Sequence, residues 1–96
     1  MELKAALGEY LDYLTIERGS SANTVAAYRR DLARYVFHLN GGGITDVDAV
    51  SRHDIEAHVA SLERQGLASS SVQRAVSAIR GFHRFLVAEQ ETTNHP

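Results

Sequence analysis

Apolar residues recur at three- and four-residue intervals through most of the chain, in blocks separated by glycines and serines. In the first block Leu3, Leu7, Tyr10, Leu11 and Leu14 share one side of a helix running from about Leu3 to Arg18, with Gly19 as its stop. The second helix follows Ser20-Ser21 and reaches about Asn40. Val25, Tyr28, Leu32, Tyr35, Val36 and Leu39 form its buried stripe. Gly41-Gly42-Gly43 ends it, because glycine accepts the left-handed C-cap and weakens further helix.

Residues Ile44–Val50 read as a loop or short turn held to the core by Ile44, Val47 and Val50. Ser51-x-x-Asp54 is a capping box in its Asp form, opening a third helix that reaches about Gln65. Ile55, Val59 and Leu62 are its stripe, and Gly66-Leu67 fits a Schellman ending. The fourth helix begins near Ser69–Ser71 and runs to about Gln90, with Val72, Ala75, Val76, Ile79, Phe82, Leu86 and Val87 along one side. The polar tail Glu91–Pro96 reads as a frayed end or the start of a linker. No segment sustains period-two alternation, so the pattern predicts an all-α domain, orthogonal or bundle-like, with no sheet.

Composition narrows this picture. Ninety-six residues at 44% hydrophobic suffice for one domain with one core. The absence of cysteine excludes a disulfide framework and a thiolate metal site, and is compatible with a reducing, cytoplasmic setting. No apolar run approaches the roughly 20 residues of a membrane span. Met1-Glu2-Leu3-Lys4 does not begin a signal peptide, because no basic region leads into an apolar one.

Charge changes the picture more. The formal net charge is −2, which by itself argues against nucleic acid. Its distribution argues the other way. Segments 21–40 and 69–88 hold Arg29, Arg30, Arg34, Arg74, Arg80 and Arg84 against one acid, Asp31, or six minus one, +5. The remainder holds four basic residues against eleven acids, −7. Binding responds to the local field and not to the sum.

At about 100° per residue, Asn23, Arg30 and Arg34 fall opposite the second helix's stripe, beside Ala26, Ala27 and Phe37. Gln73, Arg74, Ser77, Arg80, Gly81 and Arg84 fall away from the fourth helix's stripe. The fourth helix uses arginine without acidic partners in its own segment, where a merely soluble face usually alternates Glu with Lys. Arginine's planar fork fits phosphate, or guanine O6 and N7. Small residues keep both surfaces low enough to enter a major groove. Asn23-Thr24 lies at a helix N-terminus, where free N–H groups favour a phosphate. Blander readings stand beside these: the arginines as a solvated face, Asn23-Thr24 as capping residues, and Ser77 and Gly81 as sites of close helix packing.

Nothing points to catalysis by this chain. His53 and His58 are five apart, which does not align metal ligands; His83 falls on the buried side, His38 is lateral and His95 lies in the tail. No phosphate loop, nucleophile elbow or HExxH motif occurs. Asp46 and Asp48 sit in a polar loop and read as solvation. Tyr10, Tyr13, Tyr28 and Tyr35 lie mostly on apolar sides of helices. No cofactor, metal or small-molecule ligand is expected.

Glu17-Arg18-Gly19, followed by Ser21-x-Asn23-Thr24-x-x-x-Tyr28-Arg29-Arg30-Asp31-Leu32, closely resembles the N-terminal core-binding domain of tyrosine recombinases and phage-type integrases, above all the Xer type. Asp54-Ile55, Ser77-Ala78-Ile79-Arg80 and Phe82-x-x-Phe85-Leu86 look like the same domain's third and fourth helices. The resemblance covers about residues 7–90. It implies a four-helix SAM-like domain over residues 1–90, with 91–96 beginning an interdomain linker. Such a domain forms half of a C-shaped clamp on duplex DNA, with its second and fourth helices in the major groove. Its first helix often helps protomers meet in a synaptic tetramer. On this resemblance Asn23, Thr24 and Arg34 position phosphates, Arg30 matches the family pattern, and Gln73, Arg74 and Arg80 face base edges beside Ser77 and Arg84. The family's tyrosine nucleophile and its supporting residues belong to a separate C-terminal domain, and none of those motifs occurs in this chain. The alternative is a helical protein-interaction module without DNA binding, marked by off-stripe Ile16 and Phe37.

Overall fold

A computed structural model describes all residues, Met1–Pro96. Four helices carry the fold: α1 (Leu3–Asp12, continued by a π-helical turn over Tyr13–Glu17), α2 (Ala22–Gly41), α3 (Arg52–Arg64) and α4 (Ser69–Ala88). A short 3-10 turn, Val47–Ala49, lies between α2 and α3, and there is no strand. One isolated antiparallel bridge, Glu2 to Asp46, ties the N-terminus to that turn.

The helices start and stop where local chemistry dictates. Ser51 and Asp54 form the reciprocal capping box that their spacing predicts. Gly66 takes φ +82°, and the Leu67 N–H returns to the Leu62 carbonyl, completing the Schellman ending. Of the three glycines that end α2, Gly41–Gly43, only Gly43 is left-handed. The first helix extends as far as expected, but its last turn widens. The Arg18 N–H reaches five residues back to the Tyr13 carbonyl, while the Thr15 hydroxyl donates to the Leu11 carbonyl.

α2 and α4 make the most extensive helix pair, and α1 and α3 pack against them. Leu3, Tyr10, Leu14, Leu32, Tyr35, Leu39, Ile79, Phe82 and Leu86 are among the core residues. The anticipated stripe of α2 is buried except Tyr28, which is half-buried. In α3 the buried residues are His58 and Leu62, with Ile55 and Val59 only half-buried. The stripe of α3 is therefore turned toward His58. Val47 and Val50 pin the connecting turn, as expected.

The tail is not frayed. Asn94 donates its side-chain amide to the carbonyls of Val47 and Val50, at 2.9 and 2.8 Å. Thr92 is buried and hydrogen-bonds Asp48. Docking satisfies carbonyls that a 3-10 turn leaves open, which a polar composition alone does not reveal. Asp46 and Asp48 are correspondingly structural. Asp46 accepts from the Asp48 N–H and pairs with the N-terminal ammonium at 3.0 Å. Those two contacts hold its carboxyl below the ordinary range.

Candidate nucleic-acid interface

The N-terminus of α2 is capped by Ser21, whose hydroxyl oxygen accepts the Thr24 N–H at 3.2 Å. Ser21 also donates to the Thr24 hydroxyl. Thr24's own amide is therefore occupied and is not a free donor for phosphate. The Ala22 and Asn23 N–H groups have no acceptor within the protein, so two donors point outward at the positive end of the helix dipole. Asn23 and Thr24 are exposed. Arg30 and Arg34 are exposed one turn apart further along α2, and neither has an ion-pair partner.

On α4, Gln73, Ser77, Arg80 and Arg84 are all exposed along one side of the helix. Arg80 and Arg84 are likewise unpaired. Arg80 lines a groove of about 450 Å³ between α3 and α4, together with Arg52, Glu56 and Glu63. Arg84 lies toward α1, beside Arg18. Gly81 serves helix packing: a Cβ there would collide with the Tyr10 hydroxyl on α1.

Arg74 departs from expectation. Its Nε and Nη2 donate to both carboxylate oxygens of Asp31, at 2.8 and 3.1 Å. The fourth helix is thus not free of acidic partners; the partner comes from α2, 43 positions away, beyond the reach of a helical-spacing argument. The Asp31 side chain is 3% exposed and that of Arg74 is 40%. The single acid of the basic segments is therefore buried and neutralised, and Arg74 is held in place with its side chain partly in solvent. The pair raises the guanidinium pKa through its hydrogen bonds to Asp31.

Two of the five histidines are buried. His83 is buried as predicted and its Nε2 lies 2.8 Å from the Tyr35 hydroxyl. His58 is also buried, which spacing did not single out, although Ile55, His58 and Leu62 do share an i, i+3, i+7 line. Its ring packs against Tyr35 and His38, and neither ring nitrogen has a partner. Burial pushes both imidazoles down to about 4, helped by the neighbouring positive groups His38 and Arg34 for His58 and by His95 for His83. Burial likewise raises Tyr10 and Tyr35 above the ordinary phenol range, so neither is activated as a nucleophile. No group of three or more acidic or histidine side chains is arranged to hold a metal ion. No helix is long and apolar enough to cross a membrane.

Two large apolar side chains stand in solvent, Ile16 at 78% exposure and Phe37 at 81%. Ile16 lies in a groove lined by Glu9, Asp12, Glu17, Glu89 and Glu91 with no basic residue. Phe37 borders a shallow groove between α2 and α3 that it shares with Arg34.

The family model described as phage integrase, N-terminal SAM-like domain, matches residues 7–90. The chain is similar to the tyrosine recombinase XerD of Mycobacterium tuberculosis (strain ATCC 25618 / H37Rv), with 47% identity over 94 residues, covering 91% of this chain and 30% of the relative. It is 39% identical over 95 residues to the tyrosine recombinase XerD of Oceanobacillus iheyensis, covering 98% of this chain and 32% of that one. The tyrosine recombinase XerD of Staphylococcus aureus (strain N315) matches at 35% over 94 residues, with the same coverage, 98% and 32%. The chain thus spans about a third of the length of these curated relatives. No solved structure matches the chain.

Proposed function

The chain belongs to the phage integrase N-terminal SAM-like domain family, and on that premise we propose that it grips duplex DNA as half of a clamp in a tyrosine recombinase. Residues 1–90 form the gripping unit and 91–96 lead toward a linker. Strand cleavage and rejoining belong to a separate C-terminal domain. The observation that carries this reading is charge placement: Arg30, Arg34, Arg80 and Arg84 are exposed and unpaired on α2 and α4, in a chain whose net charge is −2.

Each candidate takes a role its position allows. Asn23, with the free amides of Ala22 and Asn23, holds one phosphate at the start of α2. The Thr24 hydroxyl supports it while its amide serves the cap. Arg30, Arg34 and Arg84 neutralise phosphates. Gln73 and Arg80 face base edges across the low surface that Ser77 leaves. Arg74 contributes as a fixed charge aligned by Asp31. Further protomers are the second class of partner, and exposed Ile16 at the end of α1 gives them an apolar point of contact.

An amide NMR titration with a short duplex at low and moderate salt tests the reading. Shifts should cluster on residues 22–34 and 73–84 and fade with salt. Arg34→Ala should flatten the log–log salt slope by about 0.9 for each phosphate that the arginine neutralises. Shifts confined to the acidic groove around Ile16, or no shifts at low salt, would overturn it in favour of a protein-interaction module.

A further inference from the structure

Phe37 is the one large apolar side chain left bare on α2, and the core is complete without it. A helical step of three residues places it beside Arg34, and seven beside Arg30, on the exposed side that begins with Asn23. Its neighbours one turn away, Ala33 and Gly41, are too small to shield the ring. Arg34 and Phe37 line the same shallow groove. The sole acid of α2, Asp31, is buried against Arg74, so no exposed carboxylate on this helix opposes an approaching polyanion.

An exposed aromatic ring on a cationic face selects for a surface that is anionic and carries an apolar feature. In the major groove the apolar feature is the C5-methyl group of thymine, and phenylalanine is among the side chains that contact it. We infer that Phe37 reads a thymine methyl next to the position that Arg34 contacts. This rests on the DNA-gripping role proposed above and adds a specificity determinant to it. Residues three apart differ by about 4.5 Å along a helix axis, at about 1.5 Å per residue. Arg34 and Phe37 therefore address positions within one or two base steps of each other.

The test uses duplexes selected by this chain from a randomised pool, then rebuilt with each thymine replaced in turn by uracil, which removes only the methyl group. Affinities are measured for the wild type and for Phe37→Ala, whose melting temperature confirms folding. The wild type should bind about three- to fivefold more weakly at one uracil position, the scale of one apolar carbon buried, and Phe37→Ala should show no such weakening there. A uracil effect of equal size in both proteins, or none at any position, overturns the inference while leaving DNA gripping intact. Failure of the wild type to bind any duplex overturns both. Unchanged DNA affinity in Phe37→Ala, together with abolished self-association in ultracentrifugation, assigns the ring to a second copy of the chain instead.

Discussion

Along the seam between α2 and α4, Asp31 meets Arg74, and one turn further along α2, Tyr35 meets His83. The first contact joins opposite charges, with both carboxylate oxygens satisfied and the guanidinium partly in water. The second is a neutral hydrogen bond, and beside it His58 is buried with both ring nitrogens unpartnered. Both fix the register of the same helix pair. They differ in what threatens them. The ion pair fails when one member is removed, because the other is left behind uncompensated. The imidazoles fail when protons arrive, because an interior site disfavours their charged form.

The largest consequence is acid sensitivity. In the unfolded chain His58 and His83 take up protons as pH falls through 6.5; in the folded protein burial delays this to about 4. The unfolded state thus binds more protons over that interval, and stability is lost from pH 6.5 down to about 4, levelling below it. By pH 5 each histidine has cost about 2 kcal/mol, so the pair removes about 4 kcal/mol from a domain whose class holds roughly 5–15. Urea unfolding at pH 7.5, 6 and 5 measures it. Equal stability at pH 7.5 and 5 would mean that the two imidazoles open to water as readily as they protonate.

The ion pair predicts a smaller and lopsided effect. Arg74→Ala strands the Asp31 carboxylate inside the seam and should cost about 2 kcal/mol, reduced from the fully buried case because Arg74 is itself partly solvated. Asp31→Ala leaves a guanidinium that can turn into solvent and should cost about 1 kcal/mol. Denaturant midpoints of the two variants decide the matter, and equal losses would show that water already reaches Asp31. Asp31→Ala also frees Arg74 on the basic side of α4, so duplex affinity should rise modestly even as stability drops.

The same seam separates what was legible in the sequence from what was not. Helix limits were readable because they are encoded within four or five residues: the Ser51–Asp54 box, the Gly66–Leu67 ending and the Gly19 stop all rest on local chemistry. The exposed arginines were readable because a helical wheel separates them from the stripe. Contacts between segments were not. Asp31 reads as a dilution of the basic face until α4 brings Arg74 to it, and Asn94 reads as tail until the turn at Val47 and Val50 receives it; close packing at Gly81 was legible, but not that Tyr10 is its partner. His58 was hidden for a different reason. Ile55, Val59 and Leu62 make an acceptable stripe, and a rotation of less than one residue exchanges Val59 for His58. Only the packing against Tyr35 and His38 decides between them.

The smallest effect predicted at pH 7.5 isolates His58 from His83. Because neither nitrogen of His58 bonds to the protein, His58→Leu removes no hydrogen bond and nearly conserves volume. At pH 7.5 the change should be neutral or stabilising by up to about 1 kcal/mol, since a desolvated polar group is replaced by an apolar one. At pH 5 the gain should widen by the share that His58 contributes, about 2 kcal/mol, leaving the His83 slope in place. His83 cannot be replaced in the same way, because its removal leaves the Tyr35 hydroxyl buried without its partner. A His58→Leu variant that is destabilised at pH 7.5 would reveal a bond the imidazole makes to buried water. His58 would then be satisfied beside the seam, His83 Nδ1 alone would be left without a partner there, and the contrast with Asp31–Arg74 would narrow toward charge.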